Sequence, residues 1–267
     1  MLKVGFYQFR PLFGRVEKNL AKVLKALGPA EADLIVLPEL AFTGYYFKAR
    51  SEAKALAEDP ERSKTVENLV ALCKDRDFYL VTGFAERKQD KVFNSALLIG
   101  PGGVVHTYRK LHLFNEEKNW FDPGDTPLEV QPVRGARIGM MICFDWIFPE
   151  VTRTLTIQGA DIICHPSNLV LSYCQQTMLS RCLENNVFAV TANRFGADRR
   201  PHGELRFTGK SQIVAPKGEL LHRAASQREE LFVAEVDLSL ARDKNITPLN
   251  QIIADRRPEF YAPLARV

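Results

Sequence analysis

The sequence predicts an α/β protein whose two sheets pack face to face with helices outside. Three observations lead there. Short apolar runs bounded by Gly and Pro alternate with stretches whose apolar residues recur at helical spacing, the pattern of layered α/β proteins. Some neighbouring runs are joined by a tight Gly/Pro turn, which makes a hairpin, while others are separated by a helix-length segment, which makes a βα unit. That mixture does not read as a single doubly wound sheet. Finally, 267 residues, 46% hydrophobic and free of repeats or Gly/Ser-rich linkers, supply the core of one large domain spanning 1–267.

The elements follow in order. Residues 4–8 read as a first strand. Leu20, Val23, Leu24 and Leu27 then share a helical face, and Gly28-Pro29 ends that helix. Residues 34–37 form a fully apolar, buried-type strand stopped by Pro38. Val66, Leu69, Val70 and Cys73 mark a second helix, leading into a strand at 78–83. Runs 93–99 and 104–108 flank Gly100-Pro101-Gly102-Gly103 and form a hairpin. Residues 137–142 are a buried strand ending at Cys143, and Pro149 suits the first turn of the next helix. A strand at 161–164, a helix at 172–184 and strands at 187–193, 211–215 and 231–236 complete the pattern. Pro216-Lys217-Gly218 makes a hairpin turn before Leu220-Leu221, and the tail from Ser239 reads as irregular.

Composition narrows the function. The 36 basic and 32 acidic residues leave a net charge of only +4, with no Lys/Arg run longer than a pair, so nucleic-acid binding is not expected. No apolar window reaches the length of a membrane span, and the first residues lack a signal-peptide pattern, so a cytoplasmic protein is expected. Five cysteines without a CxxC pair suggest neither a disulfide framework nor a zinc site. None of the five histidines has metal-ligand spacing, so no metal or cofactor is expected.

Three polar residues sit just beyond three strands: Glu39, Lys110 and Cys143. Ends of neighbouring strands form the rim where ligands bind in layered α/β proteins. A thiolate there can attack a carbonyl, a carboxylate can take its proton and later that of water, and an ammonium can neutralise the oxyanion. Each residue alone has an ordinary reading, as buried thiol, loop carboxylate or surface charge.

Their flanks change that. Leu37-Pro38-Glu39-Leu40…Thr43-Gly44-Tyr45, Tyr108-Arg109-Lys110-Leu111-His112-Leu113 and Cys143-Phe144-Asp145-Trp146-Ile147-Phe148-Pro149-Glu150 resemble, in order and spacing, the three signature motifs of the nitrilase superfamily. Gly83 with Asn94-Ser95-Ala96, Pro123-Gly124-Asp125 and His165-Pro166-Ser167-Asn168 extend the likeness over about residues 3–261.

The resemblance implies a four-layer αββα sandwich that pairs through helices into a homodimer or higher homo-oligomer. Helix 172–184 and the tail 239–267, above all 256–261, are the expected contacts. It implies Glu39 as general base, Lys110 as stabiliser of the tetrahedral intermediate and Cys143 as nucleophile. The Phe144 N–H would complete the oxyanion hole, Glu117 rather than Glu116 would be a second active-site carboxylate, and Tyr45 and Asn168 would line the substrate pocket. His112 would be structural. The expected reaction is hydrolysis of a small primary amide, since Cys143 is followed by Phe-Asp rather than the Trp-Glu that resembles the dedicated nitrilase branch. Small nitriles and N-carbamoyl amino acids remain alternatives. An inactive scaffold would have lost a triad residue, and none is lost. A papain-like protease would need a His as its base.

Overall fold

Strand residues here are buried on both faces, and that dictates how the layers stack. The computed structural model describes residues 1–265. Its first half carries β1 (Leu2–Gln8), α1 (Val16–Leu27), β2 (Leu34–Val36), α2 (Arg50–Leu56), α3 (Lys64–Arg76), β3 (Tyr79–Lys88), β4 (Lys91–Gly100) and β5 (Gly103–Arg109). The second half opens with α4 (Glu117–Trp120), β6 (Val130–Val133), β7 (Ala136–Met140), α5 (Pro149–Ile157), β8 (Ile162–Ser167), α6 (Cys174–Asn185) and β9 (Phe188–Asn193). It closes with β10 (Phe195–Arg200), β11 (Gly203–Thr208), β12 (Gln212–Val214), β13 (Leu220–Arg223), β14 (Glu230–Val236) and α7 (Leu238–Arg242).

Two six-stranded sheets result, ordered β14-β1-β2-β3-β4-β5 and β13-β12-β9-β8-β7-β6. In each, three parallel strands joined by helical crossovers are flanked by antiparallel ones: β1, β2 and β3 in the first sheet, β7, β8 and β9 in the second. Alternation sorts the side chains. Leu34 and Val36 point into the core shared by both sheets, with Val4, Phe6, Ile138, Met140, Ile162 and Val190. Ile35 and Leu37 point the other way, onto Val23 and Leu27 of α1 and Leu69 and Cys73 of α3. On the opposite side, Val151 and Leu155 of α5 and Met178 and Cys182 of α6 join the shared core's outer edge. Each such aliphatic or aromatic side chain contributes roughly 1.5–3 kcal/mol on leaving water. This is the αββα sandwich the sequence implied.

The differences from expectation are local. Helix α2 was not expected, because its seven residues, RSEAKAL, bury only Ala53 and show no apolar face. The hairpin β10–β11 was missed because its strands carry Arg, Asp and Gly rather than alternating apolar residues. The tail is less irregular than expected: it holds α7, capped by Asp237 through Ser239 N, and a small hairpin of β15 (Asn245–Thr247) and β16 (Asn250–Gln251). Its last two residues, 266 and 267, lie outside the described residues. Among the described residues, no helix is long and apolar enough to cross a membrane.

Two glycines fix where the site residues stand. A Cβ on Gly83 of β3 would lie 2.3 Å from Glu39 Cα, so only glycine lets the turn after β2 fold down on β3. That turn is tied by Gly83 N to Pro38 O at 3.1 Å. A Cβ on Gly124 would lie 2.2 Å from Arg109 O, where Gly124 N donates to Lys110 O at 2.9 Å.

Candidate active site

Glu39 leaves β2 through Pro38, Lys110 follows β5, and Cys143 lies three residues beyond β7 at the start of a short 3-10 turn, Cys143–Ile147. All three are buried, as is Glu117 at the start of α4. Lys110 Nζ stands 2.7 Å from Glu39 Oε1 and 2.8 Å from both oxygens of Glu117. The neighbouring Glu116 is exposed. Two carboxylates therefore grip one ammonium away from water.

Both carboxylates are held by further donors. Asn94 Nδ2 donates to Glu39 Oε1 at 2.7 Å. Tyr45 Oη donates to Glu117 Oε1 at 2.6 Å, and Phe114 N to Glu117 Oε2 at 3.1 Å. Among the described residues, Glu39 Oε2 has no partner. Burial drives the Glu39 carboxyl upward, Lys110 pulls it down and Glu117 pushes it up again, leaving it raised to about 7. For Lys110, burial opposes the charge, but Glu117 and Glu39 outweigh it and hold the ammonium protonated above its ordinary range. The Cys143 thiol is pushed well up by burial and then by Glu39, against the pull of Lys110, so it rests neutral. A basic carboxyl beside a neutral thiol can take that proton when bond formation requires it.

Cys143 adopts φ +40°, a left-handed conformation that costs a non-glycine residue roughly 1–3 kcal/mol. Asp145 holds the turn in place. Its Oδ2 accepts from Ile142 N at 2.9 Å and Tyr108 Oη at 2.8 Å, and its Oδ1 from His112 N at 3.2 Å. One buried carboxylate so ties the cysteine turn to the segment carrying Lys110. His112 Nδ1 also meets Asp145 Oδ1 at 2.8 Å, and its ring stacks on Phe148.

Cys143, Phe144 and Asn168 border one crevice with Phe114, Trp146, Leu169, Val170 and Leu171. Its free volume is about 10 Å³, room for about one water. Asn168 Nδ2 donates to the Glu39 backbone O at 2.8 Å. That carbonyl can only accept, so the amide's other end, Oδ1, faces away and has no partner among the described residues. Tyr45, expected to line the substrate pocket, gives its hydroxyl to Glu117, and its ring packs edge-on against Trp120 and Phe207. Asn94, Gly83, Gly124 and Asp145 were not singled out for a role. Each lay inside a recognised segment, but only the fold shows what it touches. Among the described residues, no cluster of His, Cys, Asp and Glu could hold a metal ion.

Residues 3–245 match the carbon–nitrogen hydrolase family. A nitrilase from Pyrococcus abyssi is 44% identical over 264 residues, covering 98% of this chain and 99% of the relative. An (R)-stereoselective amidase from a Pseudomonas species is 33% identical over 243 residues, covering 89% and 85%. In fold, the chain is similar to an amidase from Nesterenkonia, with a TM-score of 0.83, 24% identity, and 98% and 96% of the two chains covered. The chain belongs to the carbon–nitrogen hydrolase family, within the nitrilase superfamily, and is an enzyme of that class.

The two adjacent glutamates make the geometry testable. Glu117→Gln places an amide among three donors, Lys110, Tyr45 and Phe114 N, where a carboxylate accepted from all of them. Turnover is expected to fall about tenfold to a thousandfold, as for lost positioning and acid–base support. Glu116→Gln, on the surface, should change turnover less than about twofold. Steady-state kinetics on both variants decides it; equal effects would reject the assignment of Glu117 to the site.

Proposed function

We propose that this protein hydrolyses small, uncharged primary amides to carboxylic acid and ammonia through a thioester on Cys143. One observation carries the amide reading. Glu39 Oε2 and Asn168 Oδ1 are both buried acceptors without partners among the described residues. A primary amide brings two N–H donors to such a site, and a nitrile brings none. Leaving buried acceptors unpaired costs about 1–3 kcal/mol each. The apolar rim of Phe114, Phe144, Trp146, Leu169, Val170 and Leu171 supports a small apolar acyl group and disfavours charged N-carbamoyl acids. The nitrilase reading is kept as the second one, because the relative at 44% identity bears that name.

In this reading the Cys143 sulfur adds to the amide carbonyl while Glu39 takes the thiol proton. The oxyanion is met by Lys110 Nζ and the Phe144 N–H. Glu39 returns the proton to nitrogen, the C–N bond breaks, and ammonia leaves a thioester on sulfur. Water then adds, giving its proton to Glu39, and collapse releases the acid and restores the thiol. Glu117 holds Lys110 in place and keeps Glu39 basic, and Tyr45 holds Glu117. Asn168 receives the amide nitrogen. We assign the protein to the cytoplasm, where its five free cysteines stay reduced.

Release of ammonia, or of methylamine from N-methyl derivatives, is the test, over matched aliphatic amides, their N-methyl derivatives, the corresponding nitriles and N-carbamoyl acids. The primary amides should exceed the nitriles in kcat/KM by about tenfold or more, the value of one pairing left unmade. Cys143→Ala should abolish turnover. Nitriles turned over faster than the amides would replace the amide reading by the second one.

The raised Glu39 carboxyl sets a pH dependence with a definite sign. The base must be ionised, so kcat/KM should fall about tenfold per pH unit as pH drops below about 7. The neutral thiol and charged lysine, both held above their ordinary values, put no limb near neutrality. A profile flat from about pH 5 to about pH 8 would remove Glu39 as the base.

We also propose a homodimer formed through α5, α6 and the tail. Apolar side chains stand exposed there: Ile157 on α5, Leu183 on α6, and Phe260 and Leu264 in the tail. A groove between Pro149, Arg153, Arg256 and Tyr261 adjoins them. Exposed apolar side chains beside a groove favour an interface. Light scattering should report twice the chain mass at micromolar concentration; the monomer mass throughout would reject it.

A further inference from the structure

A chain of hydrogen bonds lies directly beneath Cys143. His165, on β8, is fully buried, and its Nε2 lies 3.0 Å from the Cys143 backbone O. A carbonyl oxygen can only accept, so Nε2 carries the proton and Nδ1 is bare. Nδ1 accepts from Thr191 Oγ1 at 3.1 Å, and Thr191 is the residue paired with His165 across β8 and β9. Ser167 Oγ lies 3.0 Å from Nε2 and donates to the His165 backbone O at 3.2 Å. The imidazole is thereby locked in one tautomer. Burial also lowers its basicity, to a pKa of about 4, so it stays neutral near pH 7.

This arrangement rules out His165 as a base for the thiol. Its protonated nitrogen faces a carbonyl, and its bare nitrogen faces β9. What it does control is a peptide group. In a planar trans peptide the C=O and N–H point in opposite directions. The Cys143 carbonyl and the Phe144 N–H belong to the same peptide. A donor that holds the carbonyl on one side aims the N–H to the other, and a hydrogen bond at the oxygen polarises the amide and strengthens its N–H as a donor.

We propose that His165 is a positioning residue for the oxyanion hole: through the Cys143 carbonyl it fixes and polarises the peptide whose N–H, on Phe144, meets the developing oxyanion. The proposal rests on the reading of Cys143 as nucleophile and Phe144 N–H as oxyanion donor. The carbonyl also opens the 3-10 turn Cys143–Ile147, so His165 adds a side-chain donor to the turn's own bonding. Thr191 acts one step further back, by keeping the proton on Nε2.

Two rates separate this role from simple packing. Hydrolysis passes through an oxyanion. Alkylation of Cys143 by iodoacetamide does not: sulfur displaces iodide and the thiol proton leaves to a base. His165→Leu should lower kcat on the best amide about tenfold to a hundredfold, part of the value of one oxyanion donor, with little change in KM. Its rate of alkylation at Cys143, followed by mass spectrometry of the labelled peptide, should stay within about threefold of the starting protein. His165→Gln can place an N–H near the position of Nε2 and should recover most of the lost kcat. Unchanged hydrolysis in His165→Leu would overturn the proposal. So would alkylation slowed in step with hydrolysis, because the sulfur itself would then have moved. If circular dichroism shows His165→Leu unfolded, Thr191→Val takes its place. Freeing Nδ1 should lower kcat about threefold to tenfold with alkylation unchanged, and no loss there would overturn the proposal. Failure of the underlying reading looks different: Cys143→Ala would still hydrolyse amides.

Discussion

A lysine ammonium buried between two glutamates is the constraint from which the rest of the site follows. Taking an ion from water into a protein interior costs several kcal/mol even after relaxation, and here Lys110, Glu39 and Glu117 are all out of water. Such a cluster persists only if nearly every polar atom is satisfied. Asn94, Tyr45 and the Phe114 N–H supply the donors that Lys110 alone cannot. Gly83 and Gly124 supply the space in which the two backbones carrying Glu39 and Lys110 can come so near their neighbours.

The same constraint sets the chemistry available. Two carboxylates on one ammonium leave an excess of negative charge in a place where charge is costly. The result is a Glu39 carboxyl basic enough to exchange protons near neutrality, beside a thiol that rests protonated. The site does not store a thiolate. In the proposed mechanism it offers a place for the proton, so ionisation of sulfur can be coupled to attack.

Backbone placement is handled separately from charge. Asp145 joins the cysteine turn to the end of β5 through four contacts, and His165 holds the Cys143 carbonyl from beneath. These groups sit on three different segments, and the sandwich brings them together because β7 and β8 are neighbours in one sheet while β5 belongs to the other.

Much of this was legible in the sequence. Alternation and helical spacing marked most strands and α1, α3, α5 and α6, because burying apolar residues on a periodic backbone leaves a periodic trace. Strand ends marked Glu39, Lys110 and Cys143, and motif order marked the family. Elements that bury little left no such trace, which is why α2 and the β10–β11 hairpin were missed. The partners within the site were not legible either. The preference for Glu117 over Glu116 came from family resemblance, but that one is buried on Lys110 and the other exposed is a fact of the folded chain. Nothing local says that Tyr45 would turn to Glu117, that Asn168 would keep one oxygen free, or that His165 would reach the carbonyl of Cys143, 22 positions earlier. Local sequence determines which face of a strand is apolar; a hydrogen bond between distant segments depends on how whole layers pack, and only the tertiary structure decides that.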